Sequence, residues 1–203
     1  MAPEDRRAAI VDATMLLVLR HGAAVSTRQI AEAADVAEGT IYRVFPDKDA
    51  LMAAVTEKAF DPEPTLRELA EIDRRLPLRD RLVAAVVIMQ RRLNGVFGLI
   101  DALGWTGPPK GHQHRRPSSM NDAHRAAVVD LIGPDHRELR VDPAELAHVL
   151  RLLVFSGTHH RITDGRPLNA EQIVAILLDG LLARPAHGNA ATTETALIEG
   201  PRC

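Results

Sequence analysis

The sequence predicts an all-α protein, and its composition carries that prediction. Aromatic residues make up only 3% of the 203 residues, whereas alanine, leucine and valine are abundant. Helices favour that mixture, because strands are enriched in β-branched and aromatic side chains. Hydrophobic residues reach 46%, so the chain has enough apolar surface to bury a sizeable core in one or two domains. We expect about nine helices.

The first amphipathic helix is predicted over residues 4–21. Apolar residues recur there at spacings of three and four, as in Ile10, Ala13 and Leu17, which is the period of a helix with one buried face. Gly22 is expected to end the helix, because glycine tolerates the left-handed conformation that follows a last helical turn.

Two short helices joined by a tight turn are predicted next. Ser26 and Gln29 fit a capping box, in which two side chains satisfy free backbone donors at a helix start. Asp35, a residue type that tolerates positive φ, breaks this helix. A second short helix is predicted over residues 38–45, and Asp47 is placed to N-cap a third. This order of helices is the plan of a helix-turn-helix module, which binds DNA.

The rest of the chain is predicted as further helices separated by proline and glycine breakers. A loop rich in glycine, proline and histidine interrupts them, and a tail without periodicity follows the last one. The predicted helices span residues 66–76, 79–94, 96–103, 122–132, 143–157 and 170–182, with the loop at 104–121 and the tail at 185–203.

The sequence also predicts a cytoplasmic location without a membrane span. The longest run free of charged residues is nine residues, about half of what a transmembrane helix needs. The apolar run at residues 15–19 is too short for a secretory signal. The single cysteine, Cys203, agrees with a reducing compartment.

The charge of the chain is balanced rather than basic. The formal net charge is −2, and residues 1–50 hold six lysines and arginines against eight aspartates and glutamates. If the protein binds nucleic acid, a few well-placed cations must contact the phosphates, because the chain has no broad positive surface.

The segment from Ser26 to Leu51 resembles the N-terminal domain of the TetR family of bacterial transcription regulators. The residues that carry the resemblance are Thr27 followed by Ile30 and Ala31, then Val36, Gly39, Thr40, Ile41, Tyr42, Phe45, Lys48 and Leu51. Three positions depart from the family pattern: Asp35 replaces a usual glycine, Ala37 a common capping serine, and Val44 a usual histidine or tyrosine. These departures put the usual contact set and the operator sequence in question, but not the fold.

The resemblance implies that the helix beginning at Glu38 enters the major groove of DNA. Thr40 and Arg43 are expected to approach base edges, and Glu38 either accepts a hydrogen bond from cytosine N4 or remains a solvated charge. Gly39 is expected to allow close approach of the backbone to DNA. The residues expected to hold phosphates are Thr27, Arg28, Tyr42 and Lys48. The alternative role for Tyr42 is a half-buried core ring.

By the same resemblance, residues 1–48 form the DNA-binding domain, residues 49–184 a ligand-binding and dimerisation domain, and residues 185–203 a disordered tail. A homodimer on a palindromic operator, released by a small apolar or amphipathic inducer, is the expected regulator. Apolar helix faces indicate a dimer interface at Leu146, Leu150, Leu153, Ile173, Leu177 and Leu181. A ligand cavity is expected at Met89, Gln90, Leu93, Phe97, Trp105, Phe155, Thr158 and His159, with ordinary core packing as the alternative.

Other classes of function have weaker support. The histidines at 112, 114, 159 and 160 lack metal-ligand spacing, so we expect neither a metal site nor a cofactor. No nucleophile elbow, phosphate-binding loop or dinucleotide glycine pattern is present, and we therefore expect no enzymatic activity. The alternative is a ligand-independent DNA-binding repressor or architectural protein, which a well-filled core would favour.

Overall fold

The computed structural model describes residues 2–104 and 117–180. Within those ranges the chain forms nine α-helices and no strand, which confirms the all-α prediction. The predicted tail, Trp105, Leu181, Cys203 and most of the predicted loop lie outside the described residues. The helices are α1 Pro3–His21, α2 Thr27–Ala33, α3 Glu38–Val44, α4 Lys48–Phe60, α5 Glu63–Ala70, α6 Leu78–Ala102, α7 Pro117–Ile132, α8 Pro143–Thr158 and α9 Ala170–Asp179.

The capping signals near the N-terminus act as predicted. The Ser26 hydroxyl accepts from the Gln29 amide at 3.3 Å, and the Gln29 side chain accepts from the Ser26 amide at 2.9 Å. Asp35 adopts a φ of 52° in the turn between α2 and α3. Asp47 accepts from the Ala50 amide at 2.7 Å and starts α4. Local hydrogen bonding therefore sets the boundaries of α2 and α4.

The prediction of two helices over residues 79–103 is wrong, because α6 continues without a break. A glycine costs a helix roughly 1 kcal/mol relative to alanine, and Gly95 and Gly98 both lie inside α6. Phe97 and Leu99 are buried beside them at 8% and 1% exposure. Burial of a large apolar side chain contributes about 2 kcal/mol, which offsets the glycine cost.

The bounds of α5 and α7 also differ from the prediction. Helix α5 begins at Glu63 and ends at Ala70, so both of its ends lie earlier than predicted. The earlier start is possible because a proline in the first helical turn loses no hydrogen bond. Helix α7 begins at Pro117, within the segment predicted as a loop. The prediction of a loop is wrong there for the same reason, because Pro117 is the first residue of α7 and not a residue that breaks it.

Two large apolar clusters hold the helices together. The N-terminal cluster joins α1 to α4, and it also includes Leu99 from the end of α6. Leu51 and Val55 of α4 belong to this cluster, so the helix after residue 48 contributes to the core of the first domain. The second cluster joins α6, α7, α8 and α9 around Leu150 and Ile173. Helix α6 therefore enters both cores.

Helix α6 is long and apolar enough to cross a membrane, which the charge-free runs had not indicated. It is the one helix among the described residues that meets this criterion. Its most apolar stretch of 18 residues has a mean hydropathy of 1.4 and is 33% buried. The central helix of a soluble protein meets the same criterion. Since α6 packs against α1, α5, α8 and α9 and carries Arg91 and Arg92 midway, a membrane span has only weak support.

Candidate nucleic-acid interface

The short helix α3 presents a polar outer surface to solvent. Glu38, Gly39, Tyr42 and Arg43 are all exposed on it, and the Tyr42 ring is 55% exposed. Ile41 on the opposite side is 2% exposed and packs into the N-terminal cluster. The helix therefore has one side fixed in the core and one available to a groove of DNA. Tyr42 is not the half-buried core ring that was its alternative role.

Three polar side chains meet where α2 and α3 begin. The Thr27 hydroxyl donates to Glu38 Oε1 at 2.6 Å. The Tyr42 hydroxyl oxygen lies 3.4 Å from the same Thr27 Oγ1. A carboxylate and two hydroxyls thus form one exposed cluster across the two helices. The sequence pattern did not indicate this contact, because the partners are eleven and fifteen residues apart.

The cations of the surface differ in their engagement. Arg28 and Arg43 are exposed, and neither forms an ion pair with any residue in the described ranges. Lys48 is half-buried and donates from Nζ to the Ala23 carbonyl at 2.9 Å. That bond ties the start of α4 to the turn before α2. The two arginines therefore supply positive charge that no described residue pairs, whereas Lys48 uses one of its three N–H donors on a carbonyl and keeps two for a phosphate.

Two neighbouring residues of α3 have opposite surroundings. A Cβ built on Gly39 would meet no atom within 4 Å, so this position faces open space. Thr40, by contrast, is only 8% exposed, and its side chain is turned into the domain. The prediction that Thr40 approaches base edges does not fit this geometry, because the side chain lies on the inner face of α3.

Arg7, which is not among the predicted DNA-binding residues, contacts the end of α3. The guanidinium of Arg7 lies 4.4 Å from the centre of the Phe45 ring. Phe45 is 1% exposed and ends α3. This cation–π contact joins α1 to the end of α3, and no short spacing in the sequence could have indicated it.

Comparison with known proteins agrees with this geometry. The family model for bacterial regulatory proteins of the tetR family matches residues 10–55, which include α2, α3 and the start of α4. This segment of the chain is therefore similar to the bacterial regulatory proteins of the tetR family.

The relatives that match this chain are named as transcriptional repressors. The repressor KstR of Mycolicibacterium smegmatis is 32% identical over 133 residues, and KstR of Mycobacterium tuberculosis is 33% identical over 132 residues. These matches cover 65% and 64% of this chain, but only 59% and 54% of the two relatives. The chain thus spans little more than half the length of each relative. Their names agree with the prediction that the chain is not an enzyme.

Solved structures share the fold across most of the chain. A tetR-family regulator from Streptomyces coelicolor matches with a TM-score of 0.59 at 23% identity, over 88% of this chain and 79% of that one. LfrR from Mycobacterium smegmatis, solved in complex with proflavine, matches with a TM-score of 0.54 at 20% identity, over 91% and 100%. The TetR-like fold therefore extends into the second domain.

The helices after α5 place the predicted ligand residues in three different environments. Met89 is 7% exposed inside the second cluster, and Leu93 packs against that cluster, so both are core residues. The rings of Phe97, Phe155 and His159 form an aromatic group with centroids 4.4 to 5.8 Å apart. Trp105 lies outside the described residues.

The remaining two predicted ligand residues line a cleft. The side-chain amide of Gln90 donates from Nε2 to Thr158 Oγ1 at 3.2 Å and to the Leu168 carbonyl at 2.8 Å. Together they border an open cleft of about 350 Å³ between α6 and the segment that joins α8 to α9. The buried hydroxyl of Thr163, also in the lining, has no hydrogen-bond partner among the described residues. The cleft thus combines polar side chains with the apolar residues Pro167 and Leu168.

Three of the six residues predicted for the dimer interface are buried within a single chain. Leu146, Leu150 and Ile173 are 3%, 0% and 0% exposed in the second cluster. Leu153 and Leu177 are half-buried against the same cluster, and Leu181 lies outside the described residues. The apolar periodicity of α8 and α9 therefore identified the core of the subunit rather than a surface. The exposed apolar residues of α8 lie on its other face.

The link between the two domains includes an arginine that sequence reasoning missed. Arg92 of α6 donates to the Phe60 carbonyl at 2.9 Å and also to the Asp61 carbonyl. Burial lowers the pKa of the Arg92 guanidinium from its ordinary value, and the nearby Asp61 charge opposes that shift. Because free carbonyls at the end of α4 are hard to satisfy otherwise, Arg92 holds that helix end against α6.

Proposed function

We propose that the protein is a homodimeric, cytoplasmic DNA-binding repressor that recognises a palindromic operator. The observation that carries the proposal is the outer face of α3, where Gly39, Tyr42 and Arg43 are exposed together. A short helix whose outer side carries a glycine, a hydroxyl and a guanidinium that forms no ion pair with the described residues suits the major groove. The resemblance of residues 10–55 to regulators of one family supports the same function.

A dimer is proposed because one such module makes few contacts. The first fifty residues have a net charge of −2, so non-specific attraction to phosphates is small. Two copies related by a two-fold axis double the contacts and match a palindrome. Leu152 and Phe155 on the outer face of α8 are 45% and 41% exposed, and we place the interface there. A second copy would cover that apolar face.

Release by a small molecule is the finer part of the proposal. The cleft beside Gln90 is lined partly by α6, whose Arg92 holds the end of α4. A ligand bound there would shift α6 and, through α4, the spacing of the two recognition helices. Met89 and Leu93 pack in the core, so the predicted ligand cavity is filled at these two residues. This packing favours the alternative, a repressor that binds no ligand. The open cleft favours a small amphipathic ligand.

Selection of bound duplexes from a random pool tests the function most directly. The expected result is a palindrome with half-sites one helical turn apart or slightly more, about 34 to 36 Å. Thermal-shift screening of small molecules then separates the two modes of repression. A compound that raises the melting temperature and weakens operator binding supports release by an inducer. Failure to enrich any sequence would contradict the proposed function.

Single substitutions on the two helices are expected to divide by role. Tyr42→Ala and Lys48→Ala should weaken binding to every duplex, because both side chains are proposed to contact phosphates. Arg43→Ala should instead relax base preference, since a bidentate pair with guanine contributes roughly 1 to 3 kcal/mol of discrimination. Gel shifts at fixed salt with operator and point-changed duplexes measure both effects. Binding at wild-type strength by all three variants would refute the assignment.

The open space beside Gly39 gives a prediction that separates folding from binding. Gly39→Ala should leave the free protein folded and raise its stability by about 0.5 to 1 kcal/mol, because alanine favours helices. Its affinity for the operator should fall about tenfold, since the added methyl group would meet the DNA. Thermal melting and fluorescence anisotropy measure the two quantities. Unchanged affinity would show that DNA does not approach this position.

A further inference from the structure

We propose that Glu38 is a specificity-determining residue that competes with DNA phosphates for the hydroxyls beside it. The inference rests on the proposed function, because it concerns the same surface. In the free protein the Glu38 carboxylate accepts from Thr27 Oγ1 at 2.6 Å, and the Tyr42 hydroxyl lies 3.4 Å from that oxygen. Serine, threonine and tyrosine hydroxyls are regular donors to DNA phosphates. The carboxylate therefore occupies the donor that a phosphate would use.

The charge on Glu38 makes this competition directional. If the Thr27 hydroxyl leaves the carboxylate and donates to a phosphate instead, the carboxylate and the phosphate lie close together. Their repulsion at short range costs binding energy. No ion pair in the part of the chain that the structure describes involves Glu38, although Arg28 and Arg43 are exposed on the same two helices. The displaced carboxylate must then find a donor on the DNA.

A base edge supplies such a donor only at some sequences. In the major groove, cytosine N4 and adenine N6 carry amino groups, whereas guanine and thymine present acceptors at the corresponding places. A duplex with an amino group beside Glu38 satisfies the carboxylate, and other duplexes leave it facing acceptors and phosphates. Glu38 thus acts by rejecting most sequences, which is how a repulsive element creates specificity. It lowers affinity for random DNA more than it raises affinity for the operator.

The test compares Glu38→Gln with Glu32→Gln in the full chain. Glutamine keeps the length of the side chain but removes its charge, and its neutral amide oxygen holds the Thr27 hydroxyl less strongly than a carboxylate does. Glu32 is exposed on α2, and its substitution changes the net charge by the same amount. Each protein is titrated with the selected operator and with a random-sequence duplex of equal length, at fixed salt and then over a salt series.

We expect Glu38→Gln to bind the random duplex on the order of tenfold more tightly than wild type, with the operator-to-random ratio reduced by a similar factor. Its salt dependence should steepen by up to about one ion, because an opposing charge has been removed. Glu32→Gln should change either affinity by less than about threefold.

A second variant distinguishes competition for the hydroxyl from simple repulsion. In a Thr27→Val background the hydroxyl is absent, so the gain from Glu38→Gln should shrink to about threefold or less. In a Thr27→Ser background, which keeps the hydroxyl, the gain should remain about tenfold. Melting temperatures of all variants check that each is folded, and Glu38→Ala provides a replacement should the glutamine variant fail to fold.

Three results would overturn the proposal. Equal behaviour of the Glu38 and Glu32 variants would show that Glu38 is an ordinary solvated charge. Loss of operator affinity with unchanged binding to random DNA would make Glu38 a direct reader of a base. A full gain in the Thr27→Val background would remove the competition for the hydroxyl. Absence of binding by the wild-type protein would instead overturn the proposed function, and it would be seen before any variant is compared.

Discussion

Leu152→Asp is expected to convert the proposed dimer into a monomer and to weaken binding to the proposed operator by at least about 100-fold. The side chain is 45% exposed on the outer face of α8, so the substitution does not disturb the core of one subunit. An aspartate there places a charge in an interface that must exclude water. Linked binding of two half-sites exceeds the affinity of one by about 100- to 10,000-fold, and a monomer loses that gain.

Sedimentation velocity and anisotropy with the same operator measure the two effects of Leu152→Asp. Val87→Asp is the matched control, because Val87 is 48% exposed on α6 and lies outside the proposed interface. The control should remain dimeric and bind DNA as the wild type does. A Leu152→Asp protein that stays dimeric would require another interface, and Val141, which is 50% exposed before α8, is the next position to change.

The helix-turn-helix part of the structure follows closely from the sequence because its determinants are local. Ser26 with Gln29 and Asp47 with Ala50 are three residues apart, and each pair forms the predicted cap. Asp35 takes the predicted positive φ within a turn of a few residues. Such bonds form within a single helical turn, so a short motif in the sequence suffices to place them.

The second domain was less predictable because its contacts join distant segments. The apolar face of α8 was visible in the sequence, yet periodicity does not say whether the partner is the same chain or a second copy. Leu150 packs with residues of α6 and α9 in the second cluster, whereas Leu152 is exposed and belongs to the proposed interface. The Thr27–Glu38 bond and the Arg92 contacts with α4 depend likewise on tertiary packing.

The continuity of α6 gives the two domains a common mechanical element. Gln90 borders the cleft, Arg92 holds the end of α4, and Leu99 lies in the N-terminal core. A Cβ built on Gly98 would lie 3.5 Å from a methyl carbon of Leu19 in α1. A displacement of α6 therefore acts on both α1 and α4. Had the helix broken at Gly95, as predicted, movement at the cleft would have been absorbed there.

Asp135→Ala is expected to destabilise the protein by about 2 to 3 kcal/mol, more than removal of its partner does. Arg81 is 3% exposed. Its guanidinium pairs with Asp135 and donates to the Leu131 carbonyl at 2.7 Å. Alanine at 135 leaves a buried charge without its counterion, which is costly. This is less than the roughly 3 to 5 kcal/mol usual for a fully buried pair, because the Asp135 side chain is 33% exposed and water already weakens the pair.

Arg81→Met should cost about 1 kcal/mol, because it removes the buried charge and leaves an aspartate that water can reach. Asp130→Ala on α7 is the control, since Asp130 is 77% exposed in its pair with Arg74 and should contribute less than about 0.5 kcal/mol. Urea unfolding at one protein concentration measures all three, because the stability of a dimer depends on concentration. If Arg81→Met proved the more damaging change, the packing of its aliphatic stem and its bond to Leu131 would outweigh the isolated charge. That order would make Arg81 chiefly a helix cap for α7.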